Sequence, residues 1–183
     1  RFNPDDLPPL RPAGLANRPD FHHLIRETRR LDRIDEADLR KIQAIYLGMT
    51  SFVDDLLGQL LTALDETGLA DTTTVVAFSD HGDYAGDYGL VEKWPSAVED
   101  VITRVPLIIR TPGGAANHVV SEPVELFDIM ATTLELAGIE AQHTHFAQSL
   151  VPQLQGADGD PQRAVFTEGG YARHEPLCFE GRP

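Results

Sequence analysis

Val75-Val76-Ala77-Phe78-Ser79-Asp80-His81-Gly82 is the stretch on which the reading of this chain turns. Two β-branched residues, an alanine and an aromatic make a short apolar run of the kind buried in a parallel sheet. The run stops at a polar turn. In open α/β sheets, ligands gather at the carboxyl ends of strands. An Asp and a His side by side at such an end can offer a hard oxygen and an imidazole nitrogen to one metal ion. Gly82 lets the backbone turn sharply or come close to a ligand. Taken alone, Asp-His-Gly fits a capped turn with a satisfied histidine as readily as a metal site, so its surroundings carry the weight.

The loop from Ser79 runs through Gly82, Gly86 and Gly89 to Lys93. The chain has 15 basic and 29 acidic residues, a net charge of −14. Up to Ala44 the charges nearly balance, so the excess acid lies in the remainder. Only two lysines occur, Lys41 and Lys93, and Lys93 stands among carboxylates such as Asp80, Asp83, Asp87 and Glu92. A metal site and an ammonium on one strand-end loop would suit an oxyanion ester: the cation polarises an oxygen and the lysine offsets charge on the transferring or leaving group. A surface ion pair is the plainer alternative for Lys93. The acidic field disfavours nucleic acid or an anionic membrane as partner. No apolar run approaches the roughly 20 residues of a membrane span. The single cysteine, Cys178, excludes an internal disulfide and a cysteine-based zinc site.

Outward from the loop, Ile42, Ile45, Tyr46, Met49, Phe52, Val53, Leu56, Leu57, Leu60, Leu61 and Leu64 recur at steps of three and four, one apolar helical face. The spacing predicts a long helix from Glu36 to Thr67, capped by Asp35 and Asp38, stopped at Gly68, with a bend near Gly48. A shorter helix is predicted over Phe21 to Leu31, and the proline-rich residues 1–20 read as an extended lead-in. Val105 to Ile109 is a second strand with Pro106 near its start. Val119-Val120 and Ala164-Val165-Phe166 are further strand candidates, and Val124 to Ala137 reads as a helix with Leu126, Phe127, Ile129, Met130, Leu134 and Leu136 inward. The succession predicts an α/β layered fold with a mostly parallel sheet flanked by helices and no second domain.

The ordered series of segments resembles the sulfatases of the alkaline-phosphatase-like superfamily. The stretches that carry the resemblance are Leu69 to Gly82, Gly86 to Lys93 and Arg104 to Gly113. Tyr46 to Leu64, with Val53-Asp54-Asp55-Leu56-Leu57-Gly58, looks like the preceding long helix. Phe127-Asp128-Ile129 through Gly138 resembles the following helix, and Ser149-Leu150-Val151-Pro152 with Leu154-Gln155-Gly156 a stretch near the family's end. The resemblance covers roughly residues 2–170.

It implies a metal-dependent hydrolase of a small sulfate ester. Related branches act on phosphonate or phosphate esters, and a catalytically incomplete remnant that only binds is a third reading. By position, Asp80 and His81 would be metal ligands, with calcium the first expectation and manganese or zinc the alternatives. Lys93 would contact the sulfate group and assist the leaving oxygen. Trp94 would either line the substrate pocket or cover the loop. His81 stands where many sulfatases have Asn, Tyr88 where His is common, and Ala131 where Pro is common. The family's Cys/Ser-x-Pro-x-Arg motif, whose first residue becomes the formylglycine nucleophile, does not occur here; Cys178-Phe-Glu-Gly-Arg182 lacks the proline. The first pair of metal-binding aspartates is absent too. Residues 1–183 are therefore expected to be one partial domain, the C-terminal half of a sulfatase catalytic domain. The nucleophile and any export signal would lie upstream, which leaves compartment and oligomeric state open.

Four other groups qualify as candidates. His22-His23 could bind a metal or start a solvated helix, and His143-x-His145 could pair toward a metal or substrate or lie in a polar loop. Arg104 and Arg110 are expected to hold Glu99 or Asp100, and Glu168-Gly169-Gly170-Tyr171 could reach the site.

Overall fold

The structure, a computed structural model, describes residues 2–12, 14, 20–94 and 97–168. Contacts divide the chain into two compact units, residues 1–63 with 81–105 and 168–183, and residues 64–80 with 106–167.

In the first unit, helix α1 (Asp20–Thr28) ends short of the predicted Leu31 because Arg30 takes a left-handed conformation, φ 53°, and turns the chain into a 3-10 turn over Leu31–Arg33. Helix α2 (Glu36–Glu66) matches the predicted span and runs on as one helix through Gly48. Asp35 caps it, accepting a hydrogen bond from the Asp38 amide at 2.8 Å. At its far end Gly68, φ 70°, closes the helix with a pair of bonds, Leu69 N to Leu64 O at 2.9 Å and Gly68 N to Asp65 O at 3.1 Å, the Schellman pattern. A four-residue helix α3 (Asp100–Thr103) follows the glycine-rich loop. The core of this unit gathers Ile25, Leu31, Tyr84, Tyr88, Leu90, Trp94, Ala97 and Ile102. The apolar seam of α2 is mostly open: Ile45, Met49, Phe52, Val53, Leu56 and Leu60 are each between 46% and 63% exposed.

The second unit holds strands β1 (Val75–Phe78) and β2 (Leu107–Arg110), helix α4 (Asp128–Leu136) and a short helix α5 (Val151–Leu154). The strands pair antiparallel, Val75 opposite Arg110 and Phe78 opposite Leu107. This corrects the mostly parallel sheet for the described pair. An apolar run carries no information on strand direction, and the alternating burial along β2 fits a ribbon covered on one face. Neither Val119-Val120 nor Ala164-Val165-Phe166 is a strand. Instead of joining a ladder, the Phe166 amide donates to the Glu125 carboxylate at 3.1 Å.

Helix α4 begins four residues later than predicted and is anchored by polar atoms. Asp128 is fully buried and accepts from the Glu125 amide, the Gln148 amide and the Arg163 guanidinium, at 2.8, 2.8 and 2.6 Å. Thr132, one turn on, takes a hydrogen bond from the Leu150 amide at 2.8 Å. Leu126, Phe127 and Leu136, expected inside, are exposed.

Candidate active-site loop

The loop that follows β1 is built on a glycine that nothing larger could replace. The Gly82 amide donates to Ile102 O at 2.7 Å. A Cβ at Gly82 would lie 1.9 Å from the Val101 carbonyl oxygen, so the loop lies directly on the backbone of α3. Beyond it the loop folds back on itself, Tyr84 N to Glu92 O at 3.1 Å and Gly86 N to Leu90 O at 2.9 Å. The Asp83 carboxylate caps the first bend by accepting from Ala85 N at 2.7 Å.

Three residues other than glycine hold positive φ in this short span: Ala85 at 47°, Tyr88 at 60° and Glu92 at 65°. Each costs on the order of 1–2 kcal/mol, so the surroundings must hold them there. Tyr88 is buried, and its hydroxyl meets the Arg11 guanidinium at 2.8 Å. The Tyr88 amide bonds Arg11 O at 3.0 Å, and Arg11 N bonds Asp87 at 2.8 Å, so the extended lead-in straps the loop. The Arg11 guanidinium is held more firmly charged by the Tyr88 hydroxyl first and by Asp87 after it. Tyr84 is buried and donates its hydroxyl to Glu99 at 2.9 Å; the same carboxylate takes the Nε2–H of the fully buried His22. Glu92, just before Lys93, pairs with Arg29 at 3.2 Å, and the same guanidinium lies 5.6 Å from the Trp94 ring centre.

On this frame Lys93 Nζ stands 2.8 Å from His81 Nε2. An ammonium can only donate, so Nε2 carries the lone pair. The ring proton then sits on Nδ1, which is 2.8 Å from Gly82 O and donates to it. The imidazole is held as one tautomer by its two neighbours. Lys93 is exposed, and two of its three N–H donors remain for another oxygen.

Asp80 closes the second unit and His81 opens the first; the Asp80 carboxylate is exposed. Among the described residues no three of His, Cys, Asp and Glu converge as a metal site. The donor types of Asp80 and His81 suit a divalent cation, but in this arrangement the ring of His81 has no lone pair to give one, because Nδ1–H is on Gly82 O and Nε2 accepts from Lys93. Even with Nε2 released, Asp80 and His81 are two donors of the four to eight, roughly, that zinc or calcium takes. Trp94, 7% exposed, sits in the core beneath Arg29 and covers the loop from within.

The other candidates fall elsewhere. His22 is a core residue paired to Glu99, while its neighbour His23 is exposed. Glu99 therefore serves His22 and Tyr84 rather than an arginine, and Arg110 instead donates to Ala70 O at 3.3 Å. His143 and His145 make an edge-to-face ring contact at 5.8 Å. Glu168 is exposed, and residues 169–171 and Cys178 lie outside the described residues. Sequence reasoning missed the His22–Glu99–Tyr84 group, although a histidine in step with Ile25 was the available signal.

Residues 19–139 match the family described as Sulfatase. The chain is also 32% identical over 176 residues to a sulfatase of Formosa agariphila, a match covering 94% of this chain and 33% of that protein. This chain belongs to the sulfatase family. It spans between 22% and 34% of the length of curated relatives that it matches. Among solved structures, the phosphonate monoester hydrolase of Silicibacter pomeroyi matches with a TM-score of 0.76 and 29% identity, over 89% of this chain and 34% of that one. A protein solved in complex with its substrate D-glucosamine-2-N,6-O-disulfate matches with a TM-score of 0.61 and 29% identity, over 76% of this chain and 29% of that one. These likenesses place the sulfatase-family chain among alkaline-phosphatase-like folds.

Proposed function

We propose that this chain contributes the lysine-bearing loop of a sulfatase active site that hydrolyses a sulfate ester. The observation that supports it is the 2.8 Å contact between Lys93 and His81 on a strained, strapped loop. Lys93 keeps one N–H on His81 and turns the other two toward oxygens of the sulfate group. As the S–O bond to the alcohol breaks, negative charge gathers on the leaving oxygen, and Lys93 stabilises it there. Gly82 and Nδ1 of His81 fix the ring, and the ring limits where Lys93 can swing. Trp94 and Arg29 grip the loop beyond Lys93, and the burial of Trp94 leaves little of it for a substrate contact. Asp80 would hold the divalent cation, calcium before manganese or zinc, and His81 would join it only with Nε2 released from Lys93; when bound, the cation would polarise the ester oxygens.

The chain acts as part of a larger catalytic domain in this reading. The open seam of α2 supports that: six large apolar side chains on one helix face are the mark of a surface meant to be covered. The formylglycine nucleophile expected of the family would come from that further part. Accordingly the 183 residues by themselves are expected to show no ester hydrolysis.

The test is turnover of an aryl sulfate by the complete protein with Lys93→Ala. Loss of one charge-stabilising donor is expected to lower kcat on the order of 10²–10³-fold. Unchanged kcat would overturn the role of Lys93. The structural likeness to a phosphonate monoester hydrolase favours a second reading, in which the ester is a phosphonate. Comparing aryl sulfate with aryl phosphonate hydrolysis by one preparation separates the two.

A further inference from the structure

We propose that the cleft lined by His23, Arg26, Glu27, Arg30, Asp32 and Arg33 binds a sulfate group carried on a saccharide, at a place separate from Lys93. Helix α1 has two faces. His22 and Ile25 point into the core. His23, Arg26 and Glu27 follow at i, i+3 and i+4, and so share the other face, with Arg30 just past the helix end also in the lining. The left-handed turn at Arg30 leads into the 3-10 turn over Leu31–Arg33, and Asp32 and Arg33 complete the lining of an open depression of about 440 Å³. A bend of this kind at an arginine costs on the order of 1–2 kcal/mol that a glycine would avoid.

The charges in the cleft are unspent. Among the described residues Arg26, Arg30 and Arg33 have no ion pair within 4.0 Å, whereas Arg11, Arg29 and Arg163 are each paired. Guanidinium forks match the oxygens of a tetrahedral oxyanion two at a time. With Glu27 and Asp32 also in the lining, three guanidiniums against two carboxylates leave a net charge of +1. That balance suits a sulfate ester, which carries one negative charge, better than a phosphate monoester, which carries nearly two at neutral pH. The two carboxylates can also accept hydrogen bonds from hydroxyl groups, which a saccharide presents beside its sulfate. Arg29, one residue past the end of α1, ties that end to Glu92 and Trp94, the residues on either side of Lys93. A ligand in the cleft is thus held within the same compact unit as the active-site loop. The choice of a sulfated saccharide rests on the sulfatase reading; the preference of the cleft for an anion rests on its own charges.

Calorimetric titration of the complete protein with a hexasaccharide bearing a single sulfate tests this, alongside its desulfated form, a phosphorylated oligosaccharide and a DNA duplex. The sulfated hexasaccharide is expected to bind, weakly at high salt, and the other three to bind at least tenfold more weakly. Arg26→Gln and Arg33→Gln are each expected to weaken it by about tenfold. Arg30→Gly removes a guanidinium and relieves the positive φ, so it should lose affinity while the thermal midpoint holds or rises. Affinity unchanged in all three variants would overturn the proposal, as would equal binding of the desulfated saccharide or tighter binding of DNA. Aryl sulfate turnover is read on the same samples: arginine-dependent binding without turnover would sink the sulfatase reading and leave the cleft standing. Turnover without arginine-dependent binding would do the reverse.

Discussion

Glu99 accepts the Tyr84 hydroxyl at 2.9 Å and, with its other oxygen, the ring N–H of His22. One carboxylate thus joins helix α1, the glycine-rich loop after β1 and the start of α3, and it does so where His22 has no exposed surface. Removing it leaves a buried imidazole and a buried hydroxyl without their acceptor. Glu99→Ala is expected to cost about 3 kcal/mol, read as a fall in the denaturant midpoint. Glu92→Ala is the control. It breaks an ion pair with Arg29 whose side chains are 47% and 60% exposed, and should change stability by less than about 1 kcal/mol. Equal losses in the two variants would show that the buried carboxylate is not the stronger tie.

Two glycines should respond in opposite directions. Gly82→Ala drives a methyl group into the Val101 carbonyl, 1.9 Å from where its Cβ would stand, and neither backbone can yield easily. A loss of about 3 kcal/mol or more is expected, with turnover falling further because His81 moves with the loop. Gly48, inside α2, has nothing within 4 Å of an added Cβ. Gly48→Ala should therefore raise stability by about 0.5–1 kcal/mol, through the better helix propensity of alanine. Thermal melts of the two variants check both signs.

The long helix was legible because eleven apolar residues repeated at one period, with Asp35 and Gly68 as stops. The two strands and the loop between them were legible too, as apolar runs around a polar, glycine-rich turn. What the period cannot carry is partnership. The seam that marks α2 so plainly is exposed along much of its length, and the direction of β2 against β1 depends on chain crossings that composition does not record. Polar anchoring was the other blind spot. Asp128 reads in sequence as an acidic residue at a helix start, yet it is the buried centre of bonds to Gln148 and Arg163, partners 20 and 35 residues away. Of the candidate site, Lys93 and His81 were singled out by charge isolation and strand-end position, and the structure brings them within 2.8 Å of each other. Arg11, Glu99 and Trp94 hold them in place through contacts that no local spacing reveals.

Tyr46 gives a pH readout on α2. Burial chiefly, and the Asp83 carboxylate in addition, push its phenol above the usual value of 10.0. Because the folded value lies above the unfolded one, the stabilising contribution is complete below about pH 10. It drains away as pH rises through the folded value. An ultraviolet difference titration should show one tyrosine ionising late, and that step should vanish in Tyr46→Phe. Stability of the wild type should fall more steeply than that of Tyr46→Phe above about pH 10. An unchanged titration in the variant would assign the late step to another tyrosine.

His81 offers the sharpest separation of geometry from charge. Its Nε2 serves Lys93 as an acceptor at 2.8 Å, and its Nδ1–H is spent on Gly82 O. Asn can present a carbonyl oxygen to the same ammonium while its amide group donates, so His81→Asn preserves the pattern of one acceptor and one donor. His81→Leu keeps bulk and abolishes both. If the ring acts by aiming Lys93, His81→Asn should retain turnover of an aryl sulfate within about tenfold, whereas His81→Leu should fall by a further tenfold or more. The two variants should bind substrate with similar KM, because the ammonium itself is still present; the difference belongs in kcat. Lys93→Ala in the His81→Leu background should then cost much less than it does in the wild type, since an unaimed ammonium has little left to lose. Were the two losses to add in full, His81 and Lys93 would be working independently, and their contact would be incidental to catalysis.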